Sequence, residues 1–131
     1  YLLTENDSGK VMAFISFVCD SVSFTVDEKS DVSLADFPFS NFPALKVAQL
    51  AVSVEFKKKY INIGSFLLSF ARIQAFMLNE FTACRFLTVD ADIENNPSVI
   101  EFYKKNGFQR LSDKKYTKKT KICCMYKDIL S

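Results

Sequence analysis

The stretch VDADIENNPSVIEFYKKNGF, Val89–Phe108, decides how the chain is read. It opens inside Cys84–Asp90 (CRFLTVD), whose apolar, β-branched and aromatic residues predict a strand. Asn96-Pro97 predicts a helix start, with Asn96 as the cap and Pro97 at the first helical position. Val99, Ile100, Phe102 and Tyr103 recur at i,i+3 and i,i+4 and share a face of that helix. Gly107 supplies the residue that closes a helix, so the helix is expected over Pro97–Asn106. Phe108–Leu111 follows as a short strand.

Working outward, the run Ser65–Phe81 holds neither Gly nor Pro and is too long for one strand. A helix over Ser65–Asn79 is expected, with Ser65, Ser69 and Arg72 as a narrow polar stripe. Leu67, Leu68, Phe70, Ala71, Ala75 and Leu78 cover most of the rest, so burial against a sheet and further elements is expected. Ahead of it, Ala44–Ser53 alternates as a strand once Pro43 ends an irregular stretch, and Glu55–Tyr60 is a polar, basic loop. Near the start, Tyr1–Thr4 is extended and Asn6–Gly9 signals a turn. Lys10–Cys19 predicts one strand, and Asp20–Val26 a second with Val22, Phe24 and Val26 on its buried face. Asp27–Asn41 reads as a surface loop, and a basic turn leads into a last strand, Ile122–Leu130. The order β-β-loop-β-α-β-α-β-β gives an α/β class. A mixed sheet, a right-handed crossover and three layers are expected, with the two helices packed on the sheet.

Composition limits the function. With 131 residues, 49% hydrophobic and 24% charged, the chain is expected to be a single domain over residues 1–131 with a real core. Fourteen Phe and no Trp point to an aromatic core, and the net charge of +2 does not by itself imply nucleic acid. No apolar run reaches the ~20 residues of a membrane span, so no membrane partner is expected. The chain has no His, which excludes His-based triads, Cys-His catalytic pairs and Cys2His2 zinc sites. Cys19, Cys84, Cys123 and Cys124 form no CxxC, so no metal site is expected. They read as reduced thiols in a cytoplasmic protein.

One constellation carries chemistry on residue types alone. Leu50-Ala51-Val52 ends a strand, Lys57–Lys59 is basic, and Tyr60-Ile61-Asn62-Ile63-Gly64-Ser65 enters a helix. A helix start presents unpaired N–H groups and partial positive charge, which suit phosphate or pyrophosphate. Gly64 allows close approach of an anion, and Asn62 tolerates left-handed torsions. The other reading is an ordinary strand-to-helix loop with solvated Lys.

The segment Val89–Phe108, with its FYKKNGF, resembles the C-terminal motif of the GNAT superfamily of N-acetyltransferases. Phe42–Leu68 (FPALKVAQLAVSVEFKKKYINIGSFLL) resembles the acetyl-CoA motif of that family, and Lys10–Val26 its central hairpin. The strands FPALKVAQLAV and CRFLTVDA are most similar to small bacterial GNAT proteins of toxin–antitoxin systems. Lys59 stands where the family has Arg or Gln, and Asn62 where it has its first Gly. The first strand and helices usual in the family are expected to be absent here. The resemblance implies a GNAT-like α/β/α sandwich whose central sheet is splayed. It also implies an acetyl-CoA-dependent N-acetyltransferase that passes acetyl to a primary amine by direct attack.

On that resemblance, Ala44–Ser53 and Cys84–Asp90 are the strands that part to admit the pantetheine arm. Leu50, Ala51 and Val52 line it, and Lys59, Tyr60, Ile61, Asn62, Ile63, Gly64 and Ser65 hold the pyrophosphate. Tyr103 is the candidate general acid for the leaving thiolate, or else packs beside Phe102 with its hydroxyl at the surface. Asn96 either contacts the cofactor or caps its helix, with Asn95 as the neighbouring alternative. Glu55, Asp90, Asp92 and Glu94 are candidate bases, beside a chain of waters. The acceptor is an aminoacyl-tRNA amine, a small amine or a protein amine. Lys114–Lys121 is either a phosphate-binding strip or a solvated turn. A homodimer and an antitoxin are the partner expectations. The alternative is a degenerate member that binds CoA, RNA or a protein without catalysis.

Overall fold

The computed structural model describes residues 1–112 and 121–131. Its elements are β1 (Leu2–Thr4), β2 (Val11–Ser23), α1 (Val26–Asp31), β3 (Asn41–Val52), α2 (Val54–Lys59), α3 (Ile63–Thr82), β4 (Phe86–Asp92), α4 (Val99–Lys105), β5 (Gln109–Arg110) and β6 (Ile122–Asp128). The strands form a mixed sheet in the order β1-β2-β3-β4-β6-β5, in which β3 and β4 run parallel and the other neighbours antiparallel.

Several boundaries differ from the expectations, each for a physical reason. Lys10–Cys19 and Asp20–Val26 are not two strands: β2 runs unbroken from Val11 through Asp20 to Ser23, with the Asp20 carboxylate satisfied within the sheet. It accepts from the Thr88 hydroxyl at 2.7 Å and lies 3.4 Å from the Lys46 ammonium. Val26 is 80% exposed rather than buried, since it starts α1 inside the stretch read as a loop. The signal was present: Thr25 and Glu28 form a capping box, with Glu28 N–H donating to Thr25 Oγ1 at 3.3 Å and Thr25 N–H to Glu28 Oε2 at 2.7 Å. Pro43 lies within β3 and not ahead of it. β4 pairs only from Ala44 onward, so the missing N–H breaks no bond to β4. Residues 54–59, read as a loop, form the single-turn helix α2. The N-cap of α4 is Ser98 and not Asn96, so the helix starts after Pro97 instead of at it.

The sheet carries a hydrophobic cluster on each face. On one, Ile15, Leu45, Val47, Leu87 and Val89 pack against Leu67, Leu68, Ala71 and Ala75 of α3 and Tyr103 of α4. On the other, Val22, Phe24, Phe42, Ala44, Phe86 and Tyr126 lie beneath Val32 and Leu34, the residues that follow α1. These are the three layers. Phe24 sits 4.9 Å from Phe86 and 5.0 Å from Tyr126, both edge-on, which accounts for part of the aromatic excess. The helix α3 is less buried than its composition implies. Phe66, Ile73, Phe76, Met77 and Phe81 are all exposed, because the sheet covers only one side of a helix apolar on most sides.

The parting of two strands positions the site. β3 and β4 pair from Ala44↔Phe86 to Val47↔Val89, and β3 then runs on to Val52 with no partner on that side among the described residues. The cause lies one residue further along β3. On its other edge Phe17 faces Val47 and Ser16 faces Gln49, so Ala48 is a bulge. A bulge bends its strand and raises the local twist. Past Ala48, β3 therefore turns away from β4, and the parallel ladder ends.

Candidate active site

The fork opens into a cleft of about 780 Å³. Leu50, Ala51 and Val52 form one wall, residues 60–65 the floor, and Asn96, Ser98, Val99, Phe102 and Tyr103 the opposite wall. The bulge leaves Leu50 opposite Ile15 and Val52 opposite Ala13, whose side chains belong to the helix-side core. Thus Leu50 and Val52 turn to the cleft face, while the β4-side edge of their backbone has no strand partner among the described residues. An extended amide chain laid along that edge meets free N–H and C=O groups.

At the floor, Asn62 is the N-cap of α3 and adopts left-handed torsions, φ 61° and ψ 22°. The first bond of the helix runs from Phe66 N–H to the Asn62 carbonyl at 2.9 Å, so the amides of Ile63, Gly64 and Ser65 precede the helical ladder. The Asn62 side chain does not cap them, and the first turn holds no acidic residue. Lys57 and Lys105 line the same cleft. Unpaired amides, the positive helix end and two ammonium groups suit a diphosphate. Gly64 leaves room for a close approach: a Cβ there would lie 3.0 Å from Phe102 Cζ and 3.3 Å from Cε2, tighter than ordinary contact. Through this contact α4 and the tip of α3 touch.

Tyr103 is 6% exposed, held edge-on between Phe102 at 5.2 Å and Phe108 at 5.5 Å. The end of its helix is fixed as well. Asn106 Nδ2 donates to the Phe102 carbonyl and Lys127 Nζ to the Asn106 carbonyl, both at 2.8 Å. Burial pushes the Tyr103 phenol above its ordinary pKa, and among the described residues its hydroxyl has no hydrogen-bond partner. It is thus a protonated donor, largely buried in the wall of the cleft.

Of the expected site residues, Leu50, Ala51, Val52, Tyr60, Ile61, Asn62, Ile63, Gly64, Ser65, Asn96 and Tyr103 line this one cleft. Lys59 does not; its ammonium pairs with the Glu5 carboxylate. Asn96 does not cap α4, and its Oδ1 instead accepts from Ser98 Oγ at 2.7 Å. Asn95 binds Asp92, its Nδ2 donating to Oδ2 at 2.7 Å. The four candidate bases also stay outside the cleft lining. Glu55 pairs with Lys10, Asp90 with Lys46, and Glu94 with Lys121, while the Asn95 amides hold Asp92 below its usual carboxylate pKa. Lys114 to Thr120 of the basic strip lie outside the described residues. Sequence reasoning passed over Ser98, Val99, Phe102 and Lys105 as lining residues, although Lys105 belongs to the FYKKNGF signal itself.

Among the described residues, no helix is long and apolar enough to cross a membrane. No family model matches the chain, and no curated protein resembles it in sequence. Solved structures do share its fold. A crystal structure of a bacterial toxin matches at a TM-score of 0.76 and 19% identity, over 98% of this chain and 66% of that one. The toxin AtaT in complex with acetyl-methionyl-tRNAfMet matches at 0.72 and 15% identity, over 97% and 68%. An AtaT variant bound to acetyl-CoA and the C-terminus of the antitoxin AtaR matches at 0.70 and 15% identity, over 98% and 66%. The chain spans about two thirds of the length of these structures. The mixed six-stranded sheet with its flanking helices, and the superposition on these toxin structures, give this chain a GNAT-like α/β fold.

Proposed function

We propose that the chain binds acetyl-CoA in the β3–β4 cleft and transfers the acetyl group to a primary amine. The observation that carries this is the convergence, in one cleft, of a free strand edge, an uncapped helix tip and a buried, protonated Tyr103. The AtaT structures, which contain acetyl-CoA and an acetylated aminoacyl-tRNA, support the reading.

In this reading the amides of Ile63, Gly64 and Ser65 hold the diphosphate, and Lys57 and Lys105 add charge. The edge of Leu50, Ala51 and Val52 holds the pantetheine amides, and an N–H there polarises the thioester carbonyl. The amine attacks that carbonyl, the C–S bond breaks, and the thiolate takes the Tyr103 proton. The proton lost by the amine returns to the phenolate through water, so the tyrosine ends as it began. Burial makes the phenol a weaker acid, but burial in the same cleft also raises the pKa of the thiol it must protonate. Cys84 shows that effect within this molecule, where burial pushes its thiol up.

The acceptor follows as a finer proposal: an aminoacyl-tRNA amine in preference to a small or protein amine, in a cytoplasmic protein that pairs with itself and with an antitoxin. The alternative, binding of CoA, RNA or a protein without catalysis, is favoured by one observation, the capture of Lys59 by Glu5. Against it, Asn62 keeps the left-handed torsions for which the family uses Gly. The test is release of free thiol from acetyl-CoA with a panel of amines, comparing wild type with Tyr103→Phe. Loss of a proton donor should lower kcat about 10²–10⁴-fold with little change in acetyl-CoA binding. Turnover equal to wild type would remove Tyr103 from the chemistry, and absence of acetyl-CoA binding would remove the enzyme reading.

A further inference from the structure

From the Glu5 contacts we infer that this residue, which lies outside the cleft and 55 positions before Tyr60, positions the diphosphate-binding segment by holding Tyr60 and Lys59. The inference rests on the acetyl-CoA reading above and assigns Glu5 a positioning role for that ligand.

Glu5 follows β1, in the turn that leads to β2, and is buried with its carboxylate fully engaged. Oε1 accepts from the Tyr60 hydroxyl at 2.8 Å and from the Lys59 ammonium, and Oε2 accepts from the Ser8 hydroxyl at 2.6 Å. The backbone of the turn is tied too, by Glu5 N–H to the Lys10 carbonyl at 2.9 Å and Gly9 N–H to the Glu5 carbonyl at 2.8 Å. Three donors converging on one carboxylate hold its pKa down at about 2, so it is charged at every working pH. The far side of the anchor has contacts of its own. Tyr60 stacks on the buried Phe56 ring at 6.3 Å and 18°, and the Lys59 ammonium lies 5.3 Å over the Tyr60 ring.

What this anchor adjoins gives it meaning. Two residues after Tyr60, Asn62 holds the left-handed conformation, which Asn adopts more readily than other side-chain-bearing residues. The direction in which it sends the chain is set by what holds the segment on either side. On the C-terminal side α3 fixes it. On the N-terminal side the described contacts that fix it are those of Tyr60, and the partner that reaches furthest along the chain is Glu5. The three amides at the tip of α3 point where they do because both sides are held. Glu5 also accounts for Lys59: its ammonium, outside the cleft lining, is neutralised in place and serves as a strut.

The experiment compares CoA with pantetheine, which lacks the diphosphate and the nucleotide. Their dissociation constants are measured by calorimetry or ligand-observed NMR on wild type, Glu5→Gln, Tyr60→Phe and the double variant, with thermal melting as a check on folding. The expected result is a loss of CoA affinity of about tenfold in Glu5→Gln, pantetheine affinity unchanged, and no additive loss in the double variant. An equal loss for both ligands would mean general damage to the fold and overturns the positioning role. Unchanged CoA affinity in Glu5→Gln, or fully additive losses, overturns it too. Failure of wild type to bind CoA at all would sink the acetyl-CoA reading, and this inference with it.

Discussion

Replacing Gly64 with Ala probes the junction between the two helices that build the cleft. In an ordinary helix interior, Gly→Ala stabilises by up to ~1 kcal/mol. Here the new methyl would sit 3.0 Å from Phe102 Cζ and 3.3 Å from Cε2, against a comfortable carbon separation of ~3.5–4.0 Å. The Phe102 ring must therefore retreat by about half an ångström, and it is packed edge-on against Tyr103 at 5.2 Å. Overpacking of this kind costs ~1–3 kcal/mol, which cancels or exceeds the helix gain. Chemical denaturation should show stability unchanged or lower by up to ~2 kcal/mol. The larger effect falls on the ligand, because the displaced α4 shifts the wall that faces the α3 amides. Loss of one well-formed bond to a charged group corresponds to ~1.5–3 kcal/mol, a tenfold or greater loss of acetyl-CoA affinity by calorimetry. A variant ~1 kcal/mol more stable than wild type, with acetyl-CoA affinity intact, would refute the close approach of the two helices.

Phe86→Ala removes the fully buried ring at the centre of the second-face aromatic cluster and should cost ~3–5 kcal/mol in urea unfolding; a loss under 1 kcal/mol would contradict that packing. Glu5 has a folded pKa of about 2, below its ordinary 4.5, so its contribution is complete above 4.5 and lost as pH falls toward 2. Acid melts of Glu5→Gln should be flatter than wild type in that window, and parallel curves would count against the carboxylate network. Burial raises both Tyr103 and Tyr126 above the ordinary tyrosine pKa of 10, so the folded state binds more protons than the unfolded state in that range. Stability should therefore fall as pH rises past 10, less steeply in Tyr103→Phe. An identical alkaline slope in the two proteins would place the phenol in solvent.

Much of this was legible in the sequence because local and global signals agreed. The long apolar run without Gly or Pro became α3, and Gly107 ended α4 with φ 85°. What was missed depended on partners distant in the chain. Asp20 looked like a strand break because nothing local shows that Thr88 and Lys46 satisfy it. Lys59 looked like a free phosphate ligand because Glu5 is 54 residues away. Asn96 looked like a cap because its residue type and the following Pro favour one, yet the chain enters α4 two residues later, at Ser98. The residues gathered at the cleft were readable from motif order. The bulge at Ala48 that opens the cleft was not, since reading Ala44–Ser53 as one alternating strand hides the extra residue that turns Leu50 and Val52 to the face of Leu45 and Val47.

The most direct measurement is a crystal structure of the chain with acetyl-CoA. The account predicts the diphosphate on the amides of residues 63–65, the pantetheine along Leu50–Val52, and the Tyr103 hydroxyl within about 3.5 Å of the thioester sulfur. A diphosphate bound elsewhere, or a Tyr103 ring still sealed away from the sulfur, would contradict it.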